Sequence, residues 1–356
     1  MPRHNSAVGG GHLMKTANLT AIDLFSGCGG LTEGLRLAGF TVLAAVEIDD
    51  LAAETYRLNH SAHVIERDIR KVTGEELLVA ARIAPGELDL LAGCPPCQGF
   101  STLRTRGKAR FVEDDRNDLV FEFLRLVEEL RPKAVMMENV PNLARDETRI
   151  NPILARLREL DYVVDRESVG VHDAADYDVP QRRKRMVLLA TKGEKVTFPV
   201  KRARVKTVSS AFEALQFIPP DDPLHVYTVR RNPRIQRLIE AIPTNGGSRS
   251  ALPPEMALAC HAKTNGFRDV YGRMSWGAVS PTITSGCSNP SKGRFLHPEE
   301  HRAITLREAA LLQSFRYDYA FSLRKGREGA AAMIGNAFPP EFARSHAEQI
   351  RSHLES

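Results

Sequence analysis

No apolar run in the sequence approaches the ~20 residues that a bilayer span requires, which excludes an integral membrane helix. The opening stretch MPRHNSAVGGGHLMKTANLT has no apolar centre of the kind a signal peptide carries, so the chain is expected to stay in the cytoplasm. Cysteines are few: Cys28, Cys94, Cys97, Cys260 and Cys287 are an odd number at irregular spacing. That argues against a secreted disulfide framework and predicts reduced thiols. Structural zinc lacks a second ligand pair, because neither Cys260 with His261 nor Cys287 stands in a C-x-x-C or H-x-x-x-H. No metal is expected. There is one tryptophan, yet 42% of the 356 residues are hydrophobic, enough for one large core and a second, smaller lobe.

Acids are nearly absent from one stretch. Net charge is only +5, but residues 182–206 hold ten Lys/Arg against the single acid Glu194. Such a stretch is either a solvated face or a track for a polyanion. Residues 1–16 carry no periodic pattern and read as a disordered tail. Strands and helices then alternate. NLTAIDLF is a β-rich run, SGCGG a turn, and LTEGLRLAGF a helix whose Leu31, Leu35 and Leu37 suit packing on a sheet. FTVLAAVEIDD and LAAETYRLNH repeat the pair. ELDLLAG and PKAVMMEN are two more strands, separated by NDLVFEFLRLVEEL, where Leu119, Val120, Phe123, Leu126, Val127 and Leu130 share one helical face. The alternation predicts an α/β fold with a parallel sheet covered on both sides, and ligands beyond the carboxyl ends of its strands. Residues 25–30, Glu47, Cys94 to Cys97 and Glu138 would gather there.

In DLFSGCGG, Gly27, Gly29 and Gly30 permit positive φ and close approach of a ligand at a helix N-terminus. The spacing departs from G-x-G-x-x-G, with Gly34 arriving late, which argues against tight pyrophosphate binding. Glu47 closes the second strand about 20 residues on, where a carboxylate accepts hydrogen bonds from ribose hydroxyls. A nucleoside without phosphates satisfies both facts, and S-adenosylmethionine is such a ligand. Asp68 in RDI is placed to accept from an adenine amino group. The plainer reading is a tight turn and a surface acid.

LDLLAGCPPCQGFS poses three alternatives. A redox C-x-x-C should run straight into an amphipathic helix, and the loop QGFSTLRTRGKARFVEDDRND is polar and basic instead. A metal site lacks partners. A nucleophile belongs at a strand's carboxyl end on a constrained turn, and Pro95-Pro96 restrict the backbone just before Cys97, so the second cysteine should face the pocket.

Taken in order, AIDLFSGCGG, VEID, RDI, GCPPCQGFS, MMENVPNL, VPQRRKRMVLLA, RAITLREAALLQSF and IGNAFPP resemble the motif series of the DNA (cytosine-5) methyltransferases of bacterial type. The resemblance runs from about Asn18 to the last helix with one variable gap. It implies a Rossmann-like, S-adenosylmethionine-dependent methyltransferase fold with a mostly parallel sheet and a smaller, irregular target-recognition domain. The implied boundaries are 17–190 with 299–356 for the catalytic domain and 191–298 for target recognition. The implied substrate is double-stranded DNA, acted on by a monomer.

The resemblance also assigns roles. Cys97 matches the nucleophile that adds to ring carbon 6 of cytosine, and Glu138 the group that contacts ring nitrogen 3 and must donate a proton there. Asn139 would hold the loop. Arg183 and Arg185 would reach the base carbonyl and nearby backbone, Arg185 being the stronger candidate, with Gln181 bracing the strand or meeting DNA. Phe25 would pack on the adenine, beside Ser26, Gly27, Gly29 and Gly30. Glu47 and Ile48 would hold the ribose, Asp68 and Ile69 line the purine, and Pro96 and Leu119 border the cofactor. Asn336 and Ala337 would approach its amino-acid end, so the chain must return to the first domain through PPEFARSHAEQIRSHL. DNA contacts are expected from Ser101, Thr102, Arg104 and Arg106 in the loop and from Arg273, Thr284 and Ser285 in the recognition segment. Thr305 and Glu308 in TLRE read as a capping box, a structural feature. Rival readings are an RNA cytosine-5 methyltransferase of the same fold and a thiol oxidoreductase using Cys94 and Cys97.

Overall fold

The computed structural model describes residues 18–96, 119–256, 258 and 269–356. The expected tail, and Cys97, Ser101, Thr102, Arg104 and Arg106, lie outside the described residues. β1 (Thr20–Leu24), α1 (Gly30–Leu37), β2 (Thr41–Glu47), α2 (Asp50–Asn59) and β3 (His63–Glu66) follow the alternation read from the sequence. β4 (Leu90–Gly93), a helix Leu119–Leu130 and β5 (Ala134–Asn139) continue it. The chain then turns back through β6 (Tyr162–Val163), β7 (Val169–Asp173) and β8 (Lys184–Lys192).

These strands form one eight-stranded sheet in the order β3-β2-β1-β4-β5-β8-β6, with β7 also paired to β8. β3 to β5 are parallel neighbours; β8 runs antiparallel to β5 and to β6 and β7. Strand order reverses between β1 and β4, so the connections that follow them leave toward opposite faces of the sheet and open the crevice where α/β proteins bind ligands. Alternate residues serve opposite faces. Ile22, Leu24, Leu91, Val135 and Met137 join one core with Val120, Leu126 and Val127 of the helix Leu119–Leu130. Ala21, Leu90, Ala92 and Met136 join the other with Leu35 of α1 and Phe342 and Ile350 of the last helix, Pro340–Leu354.

That last helix brings the C-terminus back against α1. A Cβ on Gly34 would stand 2.4 Å from Ala343 Cβ, and one on Gly30 2.3 Å from the Phe338 carbonyl oxygen. Gly34, out of step for a dinucleotide turn, is therefore required by helix packing.

A third core gathers Ile304, Leu306, Ala309, Leu312 and Ile334 with Val208, Phe212, Met274, Ile283 and Phe295, and reaches Leu51 and Ala52 of α2. One apolar cluster thus draws on both sides of the boundary expected at residue 298. The helix Leu306–Leu312 opens with the expected capping box: Glu308 N–H donates to Thr305 Oγ1 at 3.1 Å, and Thr305 N–H to Glu308 Oε2 at 2.7 Å. No helix among the described residues is long and apolar enough to cross a membrane.

Candidate active site

A cavity of about 720 Å³ opens at the carboxyl ends of β1, β2, β4 and β5. Its first wall is the turn after β1. Phe25 has φ 60° and Gly27 φ 55°, so the chain reverses through left-handed backbone, a cost the surrounding bonds must over-determine. They do: Ser26 N–H donates to Val46 O at 3.0 Å, Gly27 N–H to Glu47 Oε2 at 2.7 Å, and Gly29 N–H to Ser26 O at 3.0 Å. Glu47 Oε1 also accepts from Ile48 and Asp49 N–H, each at 2.8 Å. Burial pushes the Glu47 carboxyl above its ordinary pKa, against the pull of these three N–H donors. Beneath the turn, burial lifts fully buried Asp23 to about 7, and Thr32 Oγ1 donates to it at 2.7 Å.

Phe25, Ser26, Gly27, Gly30, Glu47 and Ile48 all line the cavity. Ile48 is 66% exposed, an apolar side chain standing at the mouth. Ser26 Oγ is buried and has no hydrogen-bond partner among the described residues. An unpaired hydroxyl, a glycine turn at a helix start and a carboxylate with one acceptor position remaining, on Oε2, make a polar cradle on an apolar wall, which fits S-adenosylmethionine.

The second wall comes from β4, β5 and β8. Cys94 N–H donates to Leu24 O at 3.2 Å, tying the Pro-Pro turn to β1. Asn139 Nδ2 donates to Pro95 O at 3.0 Å, so Asn139 does hold the loop, and Pro96 lines the cavity immediately before Cys97 in sequence. Glu138, buried at the end of β5, pairs with Arg185 of β8, Nε to Oε1 at 2.8 Å. Burial and the adjacent Glu138 carboxylate push the Cys94 thiol well above its ordinary range, which makes it a poor nucleophile. Arg183 is buried: Nη1 donates to Ile283 O and Nη2 to Gly335 O, both at 3.0 Å, while Nε has no partner among the described residues. Desolvation lowers its pKa to about 9. Arg183 therefore stitches three chain segments together at the cavity wall.

The third wall is C-terminal. Asn336 and Ala337 line the cavity, and so do Thr284 and Ser285, which were expected as DNA contacts. The sequence reading missed Gly329, Ala332 and Met333, which share the helix Gly326–Asn336 with Asn336 and also line it. Their spacing of seven, four and three residues back from Asn336 is the signal that marks that face. It also missed Thr282 and Lys325.

Several expected residues stand elsewhere. Gly29 is turned toward Tyr319 and His60. Asp68 and Ile69 are absent from the lining: Asp68 is ion-paired to Arg70 at 2.6 Å and caps a short 3-10 turn, and Ile69 is in the core. Leu119 packs at the edge of that core. Two DNA contacts are corrected. Arg273 is fully buried, donating to Ile242 O, His297 O, Glu300 O and Ile239 O, which leaves it nothing to offer a phosphate or base. Gln181 is likewise buried, its amide donating to Gln313 Oε1 at 2.7 Å and its oxygen accepting from Ile283 N–H at 2.7 Å. It braces the strand. The basic stretch is partly neutralised, since Lys195 pairs with Asp165, Lys201 with Asp176 and Arg202 with Asp178.

The pattern of C-5 cytosine-specific DNA methylases matches residues 19–352. The chain belongs to that family. It is 36% identical to the type II methylase M.HgiDII of Herpetosiphon aurantiacus, across 94% of this chain and 95% of that relative. It is 33% identical to the type II methyltransferase M1.HphI of Haemophilus parahaemolyticus, across 95% and 88%. Among solved structures, a putative DNA modification methyltransferase of an E. coli prophage superposes with a TM-score of 0.69 at 25% identity, covering 95% of this chain and all of that one. The S. pombe Dnmt2 methyltransferase shares the fold, with a TM-score of 0.59 at 16% identity over 94% and 99%. This methyltransferase thus has the α/β fold read from its sequence.

Proposed function

We propose that the enzyme transfers a methyl group from S-adenosylmethionine to carbon 5 of a cytosine rotated out of a specific duplex DNA sequence, through a covalent adduct on Cys97. The observation that carries this reading is the meeting of the Phe25–Glu47 turn and the Glu138–Arg185 pair in one cavity, at the end of the strand that leads to Cys97. When bound, S-adenosylmethionine supplies a methyl group on a positively charged sulfur. Ser26, Glu47 and Asn336 hold it against the apolar side chains of Phe25 and Ile48. Cys97 adds as a thiolate to ring carbon 6, which makes carbon 5 nucleophilic. Glu138, a carboxylate paired with Arg185 in the free enzyme, takes up a proton from solvent as the base enters and passes it to ring nitrogen 3, while Arg185 fixes its position. Carbon 5 takes the methyl group and leaves S-adenosylhomocysteine; loss of the carbon-5 proton to solvent then expels the Cys97 thiolate, and ring nitrogen 3 returns its proton to Glu138.

Rotating the base out costs a few kcal/mol, which phosphate contacts from the loop after Cys97 and from residues 191–298 offset. That segment is proposed to read the target, with Thr284 and Ser285 at its boundary with the cavity. The type II relatives support a role in a restriction-modification system, and the enzyme is proposed to act in the cytoplasm as a monomer on DNA.

The test is a covalent trap. Fluorine in place of the carbon-5 hydrogen permits attack and methyl transfer but blocks the elimination. A duplex carrying 5-fluorocytosine at the target is expected to accumulate a denaturant-stable adduct, only with S-adenosylmethionine and only on the peptide containing Cys97. A methylating enzyme that forms no adduct, or forms it through Cys94, overturns the mechanism. Preference for transfer RNA over plasmid DNA in a tritium-transfer assay overturns the substrate.

A further inference from the structure

Opposite the cavity, the glycine turn is gripped from behind. Tyr319 Oη donates to the Cys28 carbonyl oxygen at 2.6 Å, and His60 Nε2 lies 2.8 Å from the same hydroxyl. Cys28 O can only accept, so the phenolic proton is spent on it and the hydroxyl oxygen must accept from His60. Burial holds His60 neutral, its pKa pushed down to about 4, so its one ring proton sits on Nε2. The chain of donors runs one way: His60 Nε2–H to Tyr319 Oη–H to Cys28 O.

This chain fixes one peptide plane. The Cys28–Gly29 unit has its carbonyl oxygen on Tyr319 and its N–H on Ser26 O at 3.0 Å, and a planar peptide held at both ends cannot rotate. The flanking residues, Ser26, Gly27, Cys28 and Gly30, line the cavity. Gly29 has φ 95°, and a Cβ there would stand 2.6 Å from Tyr319 Oη and 2.7 Å from His60, so the turn is moulded to the two side chains. Tyr319 itself is fully buried and packs on Phe315 and Phe321, and His60 is tilted over Tyr56. His60 follows α2, while Tyr319 precedes the helix Gly326–Asn336 that forms the third wall.

We infer that Tyr319 and His60 are positioning residues for cofactor binding: they hold the Cys28–Gly29 peptide so that the turn presents its cavity side to S-adenosylmethionine. The inference rests on the proposed identity of that ligand. Neither residue touches the cavity, so both act through the turn.

Tyr319→Phe removes the hydroxyl and keeps the ring in its aromatic cluster. It is expected to weaken S-adenosylmethionine binding about three- to tenfold by calorimetry on the full chain, the effect of one net hydrogen bond. KM for the cofactor should rise in parallel, with a far smaller change in kcat at saturation and none in duplex DNA affinity. His60→Gln keeps an N–H donor and should restore most of the affinity that His60→Leu loses. If Tyr319→Phe lowers the thermal midpoint but leaves cofactor affinity unchanged, or if His60→Gln and His60→Leu behave alike, the positioning role is wrong. If the unmodified enzyme fails to bind S-adenosylmethionine, the ligand assignment fails instead.

Discussion

Arg185 Nε stands 2.8 Å from Glu138 Oε1, joining the antiparallel neighbours β8 and β5 at the cavity wall, both side chains largely withdrawn from water. Each charge depends on the other. Removing the guanidinium leaves a carboxylate without its partner, which costs about 3 kcal/mol in such settings. Arg185→Ala should therefore lower both stability and methyl transfer. Glu138→Gln retains shape but loses the proton to be donated. It should also lower the thermal midpoint, because Arg185 loses its charged partner, though by less than Arg185→Ala, and slow methylation on the order of 10²–10³-fold. A Glu138→Gln enzyme with nearly full single-turnover rate would remove Glu138 from the chemistry.

The N-terminal half was legible because its signals are local. An apolar run, a glycine turn and a helical stripe follow one another from Thr20 to Asn139, and each predicts its own element. Glu47, Glu138 and Asn139 end up in the cavity because strand ends converge there. Arg273 misled because polarity in a glycine- and proline-rich segment suggests exposure, and Gln181, expected either to brace its strand or to meet DNA, does only the first. Their partners, such as Ile239 O for one and Gln313 for the other, are distant in sequence, and no spacing rule reveals a buried side chain that satisfies carbonyls far along the chain. The same holds for Tyr319, whose contact with Cys28 spans the whole fold.

The burial of Arg273 leads to a separable prediction. Its guanidinium serves four backbone carbonyls around Ile239, Ile242, His297 and Glu300, and leaving these unsatisfied costs about 1–3 kcal/mol for each that water cannot reach. Arg273→Met should lower the thermal midpoint by several degrees. DNA affinity, measured well below that midpoint, should be unchanged. A specific loss of DNA binding in a fully folded Arg273→Met protein would restore it as a contact residue.

His346 predicts the acid limb of stability. It is fully buried on the last helix, donates Nδ1–H to Phe342 O at 2.8 Å, and packs among His172, Tyr177 and Phe198. Burial depresses its pKa from 6.5 to about 3, and that of His172 in the same direction. A depressed histidine is neutral in the fold and binds a proton more readily when unfolded. Stability is thus fully present above pH 6.5 and falls as pH drops from there toward 3, with a slope up to about 1.4 kcal/mol per pH unit per histidine. His346→Phe keeps an apolar ring and should flatten the decline of the urea midpoint between pH 7 and 5. An unchanged slope would show that other groups govern the acid limb.

Exchange of the recognition segment tests both its proposed role and the shared core. Met274, Ile283 and Phe295 pack with Ile304, Leu306 and Leu312, so a donor segment joined at residues 191 and 298 must bring apolar side chains that fit a host helix it did not evolve with. Arg183 adds a second demand, since it donates to the carbonyl of Ile283, and a donor loop that moves this carbonyl unsettles the cavity wall. A donor that matches these positions should fold, methylate, and transfer its own target sequence, read by bisulfite sequencing of DNA from expressing cells. A donor of equal length with polar residues at Met274, Ile283 and Phe295 should unfold at lower temperature, because each truncated or polar core position costs about 2–5 kcal/mol. Matched chimaeras that fold and methylate but keep the host's target would place specificity outside residues 191–298. Mismatched chimaeras as stable as the parent would show that the two sides of residue 298 are independent units after all.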